Sequence, residues 1–178
     1  MSCYFTFVEN VHEKIDPQNI IKHYSLPSNR DCYDWKKCKF ESLCDDLKYI
    51  VANGSEKLLK IDYLMEKNPD IVVERHHRLL RKGKKIPGRF GVHTDKEGPI
   101  GGDCYSILYY YRIDDFIENG ELNFYNHECH RTPQESFSPK SGDIIAFGND
   151  VYHCPGNFST VHHEPVVRGL LSIFIKLE

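Results

Sequence analysis

The sequence predicts a mainly β fold with N-terminal helices, in which seven or eight short strands close into a jelly-roll barrel behind a helical layer. Three observations predict it. Tyr and Phe are abundant, at 11 and 10 of 178 residues, and aromatic side chains suit pleated sheet surfaces. From Asp70 onward, short β-rich runs alternate with clusters of turn residues. Helical periodicity is confined to the first third, whereas an α/β fold would interleave helices between the strands.

The length fits one domain, residues 1–178, read as a mainly helical support layer over 1–69 and a β core over 70–178. In the helical part, Asp34 is expected to cap a helix whose apolar positions Leu43, Leu47, Ile50 and Val51 share one face, and Asn53-Gly54 is expected to stop it. Ser55 then starts a second helix carrying Leu58, Leu59, Ile61, Leu64 and Met65, which Asn68-Pro69 ends. The strands that follow are expected over 70–80, 89–95, 104–112, 121–126, 143–148, 151–154 and 166–177. Glycine- and proline-bearing separators such as residues 82–88, 97–102 and 118–120 punctuate them.

Composition excludes several classes. A net charge of −3 gives no broad attraction to nucleic acid or anionic membrane, and the basic run Arg81–Lys85 reads as a solvated turn. The opening MSCYFTFVENVHEK has no basic segment followed by a long apolar one, and about 18 apolar residues never run together. A non-secreted, cytoplasmic protein without a membrane or nucleic-acid partner is therefore expected. Seven cysteines are an odd number, and Cys32, Cys38 and Cys44 lack the two-residue gaps of zinc knuckles, which fits reduced cytosolic thiols. Nothing in the sequence speaks to oligomeric state.

The chemistry sits in the β region. In a strand, His93 and Asp95 project to the same side, as two adjacent ligands of one metal would. His153 is available as a third, at the end of the buried-looking run DIIAFGNDVYH. Two histidines and one carboxylate with coordination positions left open form the facial triad of non-haem iron(II) oxygenases. The tripeptide alone is weak, since the chain has 10 histidines and His162-His163-Glu164 is a second His-x-acid match. That second match lies in a polar segment running into Pro165 and reads as a loop. Arg168 heads the apolar final strand RGLLSIFIKLE. An arginine entering a barrel strand needs an anion, and its planar fork suits a carboxylate. Two-residue periodicity puts Ser172 on the same face.

In order along the chain, His93-Thr94-Asp95, the strand Cys104 to Tyr111, the turn and strand Asn119 to Tyr125, the run Lys140 to Phe147, His153 and Arg168 resemble the double-stranded β-helix (jelly-roll, cupin-like) core of 2-oxoglutarate- and Fe(II)-dependent oxygenases. The prolyl-hydroxylase branch is the most similar, and the resemblance covers roughly residues 75–178. It implies that His93, Asp95 and His153 bind iron and that Arg168 and Ser172 clamp a 2-oxoglutarate carboxylate. Tyr110 falls where that branch has a tyrosine reaching the same carboxylate. It further implies Fe(II), 2-oxoglutarate and O2 as reactants, ascorbate as a supporting reductant, and hydroxylation of a C–H bond with release of succinate and CO2. Two departures stand out. The interval from His153 to Arg168 is longer than usual, implying an extra loop over 157–165, and the tyrosine expected on the strand before His93 has no clear counterpart.

Two other readings compete. A non-catalytic cupin-like binding module would use the same barrel without turnover, and a structural zinc protein would use His127, Cys129 and His130, with Cys154. Their spacing is poor zinc geometry. The substrate is read no further than a peptide, including a peptidyl proline or other residue, or a small molecule, reached past loops at 81–88, 96–102 and 157–165.

Overall fold

The computed structural model describes residues 7–27, 29–59, 66–87, 91–97, 104–127 and 131–176. Its centre is a six-stranded antiparallel sheet with edges drawn from the N-terminal third. Strands β1 (Phe7–Asn10) and β2 (Cys32–Lys39) form the two edges. Between them lie β8 (Asp143–Gly148), β4 (Cys104–Ile113), β11 (Val166–Lys176) and β3 (Asp70–Leu80), in that order. The shorter strands β5 (Ile117–Asn119), β6 (Leu122–Tyr125), β7 (Glu135–Phe137), β9 (Tyr152–Pro155) and β10 (Phe158–Thr160) make a three-stranded sheet, β7-β6-β9, and a β10-β5 ribbon.

Both faces of the large sheet are covered. On one, helix α2 (Asp45–Leu59) packs Leu47, Ile50 and Val51, all fully buried, against Ile107, Ile144, Leu171 and Ile173. Each such burial contributes about 1.5–3 kcal/mol. On the other, Leu122 and Phe124 of the small sheet pack against Leu108, Phe147 and Leu170. Strands covered on both sides lose the apolar–polar alternation of a half-solvated sheet, which is why β4 and β11 read as nearly continuous hydrophobic runs.

The first third departs from the sequence expectation. Residues 32–39 form a strand, so Asp34 caps no helix; its carboxylate instead makes a bidentate ion pair with Arg75 on the neighbouring strand. The helix begins at Asp45 and runs through Asn53 and Gly54 without stopping. Asn53 donates to Glu9 at 2.5 Å, and a Cβ at Gly54 would come 2.7 Å from Ile107 Cδ1. That glycine serves close approach to the sheet rather than termination. Ser55, expected to open a second helix, is buried within this one and donates to the Val51 carbonyl at 2.5 Å. Ile61, Leu64 and Met65 lie outside the described residues. A short helix absent from the sequence reading, α1 (Pro17–His23), has Asp16 accepting from the Gln18 amide and proline in its first turn.

From Asp70 onward the agreement is closer. Strands at 70–80 and 143–148 have the expected limits, and those at 104–113, 122–125, 152–155 and 166–176 match within a residue or two. The strand expected over 89–95 does not form within its described part. His93 makes an isolated bridge, Asp95 opens a turn of 3-10 helix (Asp95–Glu97), and Arg89 and Phe90 lie outside the described residues. Arg81–Lys85 is an exposed turn with Gly83 at φ +77°. Among the described residues no helix is long and apolar enough to cross a membrane.

Candidate active site

The expected triad converges although one of its segments is not a strand. The backbones of His93 and His153 pair in both directions, His93 N–H to the His153 carbonyl at 3.0 Å and His153 N–H to the His93 carbonyl at 2.9 Å. This antiparallel bridge brings the two imidazoles to a centroid distance of 4.4 Å. In each, Nδ1 lies by a backbone carbonyl, that of Gly91 at 2.8 Å for His93 and that of Val151 at 3.0 Å for His153. A carbonyl only accepts, so Nδ1 carries the proton and Nε2 presents its lone pair. Both Nε2 atoms face one oxygen, Asp95 Oδ1, at 3.8 Å from His93 and 3.6 Å from His153. The other oxygen of Asp95 accepts from Ser106 Oγ at 2.5 Å, and its amide donates to the Asn149 carbonyl at 3.1 Å.

These three residues are the group of His, Cys, Asp and Glu side chains able to hold a metal among the described residues, with ligand atoms within 4.8 Å of one another. Burial pushes the His153 imidazole below its ordinary pKa; the nearby Asp95 carboxylate opposes this. Two imidazoles and a carboxylate on one side of a point, with the other side open to a pocket, suit a divalent ion that takes nitrogen and oxygen ligands and keeps exchangeable positions.

Beyond the triad lies a pocket of about 120 Å³. From Arg168 to Phe174 every second residue of β11 lines it, Arg168, Leu170, Ser172 and Phe174, together with Leu108 and Tyr110 of β4. Arg168 is only 6% exposed and has no ion pair among the described residues. Its guanidinium lies 4.6 Å from the Phe158 ring centroid and 5.4 Å from that of Tyr110, with the Gly120 carbonyl at 3.4 Å from Nη2. Desolvation pushes its pKa down, while Tyr110 opposes the shift, and burial raises the Tyr110 phenol. A buried cation matched by the Tyr110 phenol, ring faces and a distant carbonyl, with no carboxylate beside it among the described residues, is costly unless an anion joins it. The fork and the room beside it suit a carboxylate, which is the fit expected for 2-oxoglutarate. Asn119 and Gly120 both take positive φ, +62° and +88°, at the turn from β5 into β6. A side chain at Gly120 would press on Phe158 at 3.1 Å and approach Arg168 Nε at 3.6 Å.

The structure therefore brings His93, Asp95, His153, Arg168, Tyr110 and Ser172 to one pocket. It leaves His162 and Glu164 apart, with His162 stacked on Phe116 at 4.4 Å. Of the alternative zinc set, His127 stacks on Tyr152 and Cys129 and His130 lie outside the described residues. The long interval before Arg168 is built into the pocket: Phe158 of β10 pairs with Ile86 in both directions, at 2.8 and 3.0 Å, and both line the cavity. No tyrosine besides Tyr110 lines the pocket among the described residues. Sequence reasoning passed over Ser106, which steadies Asp95, and Glu74, His76 and Arg78, which line the pocket. The signal for the last three was present as a polar stripe at every second position of β3.

Fold and pocket together define a double-stranded β-helix that carries a His-Asp-His cluster at the mouth and a buried arginine inside. No protein-family model and no curated protein matches the chain. Solved structures do. IDO from Bacillus thuringiensis superposes with a TM-score of 0.67 at 12% identity, covering 97% of this chain and 93% of that one. A Pseudomonas putida prolyl-4-hydroxylase superposes with 0.57 at 10% identity, covering 99% and 95%. A prolyl hydroxylase of Trichoplax adhaerens, in complex with a hypoxia inducible factor peptide fragment, superposes with 0.52 at 14% identity, covering 96% and 82%. At these identities the likeness is one of fold: the chain has the fold of the prolyl hydroxylases, and any activity must be argued from its own residues.

Proposed function

We propose that the protein is a single-domain, Fe(II)- and 2-oxoglutarate-dependent oxygenase that hydroxylates a peptide or small-molecule substrate. The observation that carries this reading is the convergence of two imidazole Nε2 atoms on one carboxylate, above a buried arginine that has no acidic partner among the described residues. His93, Asp95 and His153 would hold the iron on one face, and Arg168 would grip the distal carboxylate of the keto acid, with Tyr110 and Ser172 beside it. Bound together, iron and 2-oxoglutarate supply the oxidising power for inserting one atom of O2 into a C–H bond, with succinate and CO2 released.

The chain's own groups do the positioning. The carbonyls of Gly91 and Val151 fix both imidazoles in the tautomer that presents Nε2. The Ser106 hydroxyl holds Asp95 Oδ2, which turns Oδ1 toward the histidines. Ile86, Leu108, Leu122, Phe158 and Leu170 keep water from the space between the cluster and Arg168 and so strengthen every charge interaction inside it. Cys32, Cys38 and Cys44 are free thiols, which fits a reducing cytoplasm.

The test is succinate release from 2-oxoglutarate with Fe(II) and ascorbate, across a panel of peptides and amino acids. At least slow uncoupled turnover is expected. His93→Ala should abolish it and Arg168→Ala should chiefly weaken keto-acid binding. No succinate under any iron condition would leave a binding module as the reading.

A further inference from the structure

The pocket has a second polar wall that neither the metal cluster nor the arginine explains. On β3, Glu74 and His76 face the cavity, and His76 Nε2 lies 3.2 Å from Glu74 Oε2. Their side chains are only 14% and 18% exposed. Besides Asp95, Glu74 is the carboxylate that lines the cavity among the described residues. The wall continues onto the edge strand. Trp35 pairs with Glu74 and Tyr33 with His76, and directly opposed residues of an antiparallel pair share a face. Tyr33 lies against His76 at a centroid distance of 4.9 Å. Trp35 is 58% and Tyr33 38% exposed, among the largest apolar groups left open to solvent.

We propose that Glu74, with His76 beside it and the rings of Tyr33 and Trp35 at the rim, recognises a cationic nitrogen of the substrate, an ammonium or guanidinium group. This rests on the oxygenase reading and names the substrate class for it. A sheltered carboxylate gains from a charged donor beyond the neighbouring imidazole, and flanking aromatic faces attract cations specifically. Charge is graded along the sheet in the same sense. Arg78 pairs with Arg168 across β3 and β11, at the guanidinium assigned to the keto acid, whereas Glu74 stands four positions further along its strand, opposite Ser172 at the other edge of that clamp. Arg78 has Asp31 at 3.8 Å. Lys37, the next residue on the rim face beyond Trp35, is exposed to solvent. Ser172 also pairs with Leu108, so Glu74 stands two strand spacings, about 10 Å, from the strand whose Ser106 holds Asp95. The reacting carbon is thus separated from the cationic nitrogen by several bonds, as in a lysyl or arginyl side chain.

Trp35 is the single tryptophan of the chain, so its emission reports on this rim directly. The full chain is titrated with N-acetylated, C-amidated Gly-Lys-Gly and Gly-Arg-Gly, and with analogues bearing norleucine or citrulline in the central position. The expected result is saturable change in Trp35 emission with the two charged peptides alone, weakened about tenfold in Glu74→Gln. The same two peptides should raise succinate release above their uncharged counterparts. Equal responses to charged and uncharged peptides, no response, or unchanged affinity in a Glu74→Gln protein with native circular dichroism would each overturn the proposal. Should Glu74→Gln lose its fold, Tyr33→Leu replaces it, with a severalfold loss expected and an unchanged affinity counting against the proposal. Charge-selective binding without succinate would overturn the oxygenase reading alone; succinate without charge selectivity would overturn this one alone.

Discussion

The two faces of β11 are built for different environments. Leu171, Ile173 and Ile175 point under the helices into a dry core, whereas Arg168, Ser172, Leu170 and Phe174 point into the pocket. Side chains one position apart on a single strand thus answer to opposite demands. The core face gains from filling space, and the pocket face keeps an uncompensated charge and a cavity that the fold does not need. The odd positions fill the core and the even ones line the pocket.

That division makes a graded set of predictions. The largest effect is expected at the mouth of the pocket, where His153→Ala should remove iron binding and succinate release to below detection while the denaturation midpoint changes little; a normally active variant would break the comparison. On the core face, Ile173→Ala should cost about 3 kcal/mol in urea denaturation yet leave 2-oxoglutarate affinity intact in the folded protein. Gly169 lies opposite His77 in the register with β3, and a Cβ there would come 2.3 Å from Tyr111 Cζ. Gly169→Ala should therefore cost about 2 kcal/mol, and retained stability would show that the ring moves freely. Arg168→Met reverses the sign: exchanging a buried, unpaired cation for an apolar chain should add about 1 kcal/mol of stability while 2-oxoglutarate binding is lost, as calorimetry would record.

The smallest expected effect concerns pH. His77 is buried, with Nδ1 2.6 Å from the Tyr111 hydroxyl and no partner at Nε2 among the described residues. Desolvation, then the neighbouring Arg112, push its pKa below the ordinary 6.5, against the pull of Asp31 and Asp114. The unfolded chain then binds this proton more readily than the folded one, so the stabilising contribution is present above 6.5 and is lost as pH falls toward the lowered folded value. His77→Gln should flatten urea-denaturation stability between pH 7 and 5, and an unchanged slope would mean that His77 is solvated.

Much of the fold was legible from Asp70 onward because those strands are long and mostly buried. The strand over 70–80 and the run over 143–148 declare themselves through β-branched and aromatic residues bounded by Asp, Gly and Asn. The edge strand over 32–39 gave no such signal. Its exposed Trp35, Lys36 and Lys37 break any period of two, and Asp34, which resembles a cap, is there for Arg75. Strands of three residues, such as those at 117–119 and 158–160, are too short to show a period at all. At the site, residue types and spacing pointed to His93, Asp95, His153, Arg168 and Ser172, and the family resemblance to Tyr110; all six line one pocket. The backbone underneath could not be read, because a bridge and a turn hold His93 and Asp95 where a strand had been expected.

The backbone pairing of residues 93 and 153 also bears on how such a centre is assembled. Two main-chain hydrogen bonds tie the distant segments together independently of any side-chain ligand. On the proposed oxygenase reading, a chelator would empty this cluster of its ion, and a fresh ion refill it, without the polypeptide passing through an unfolded state.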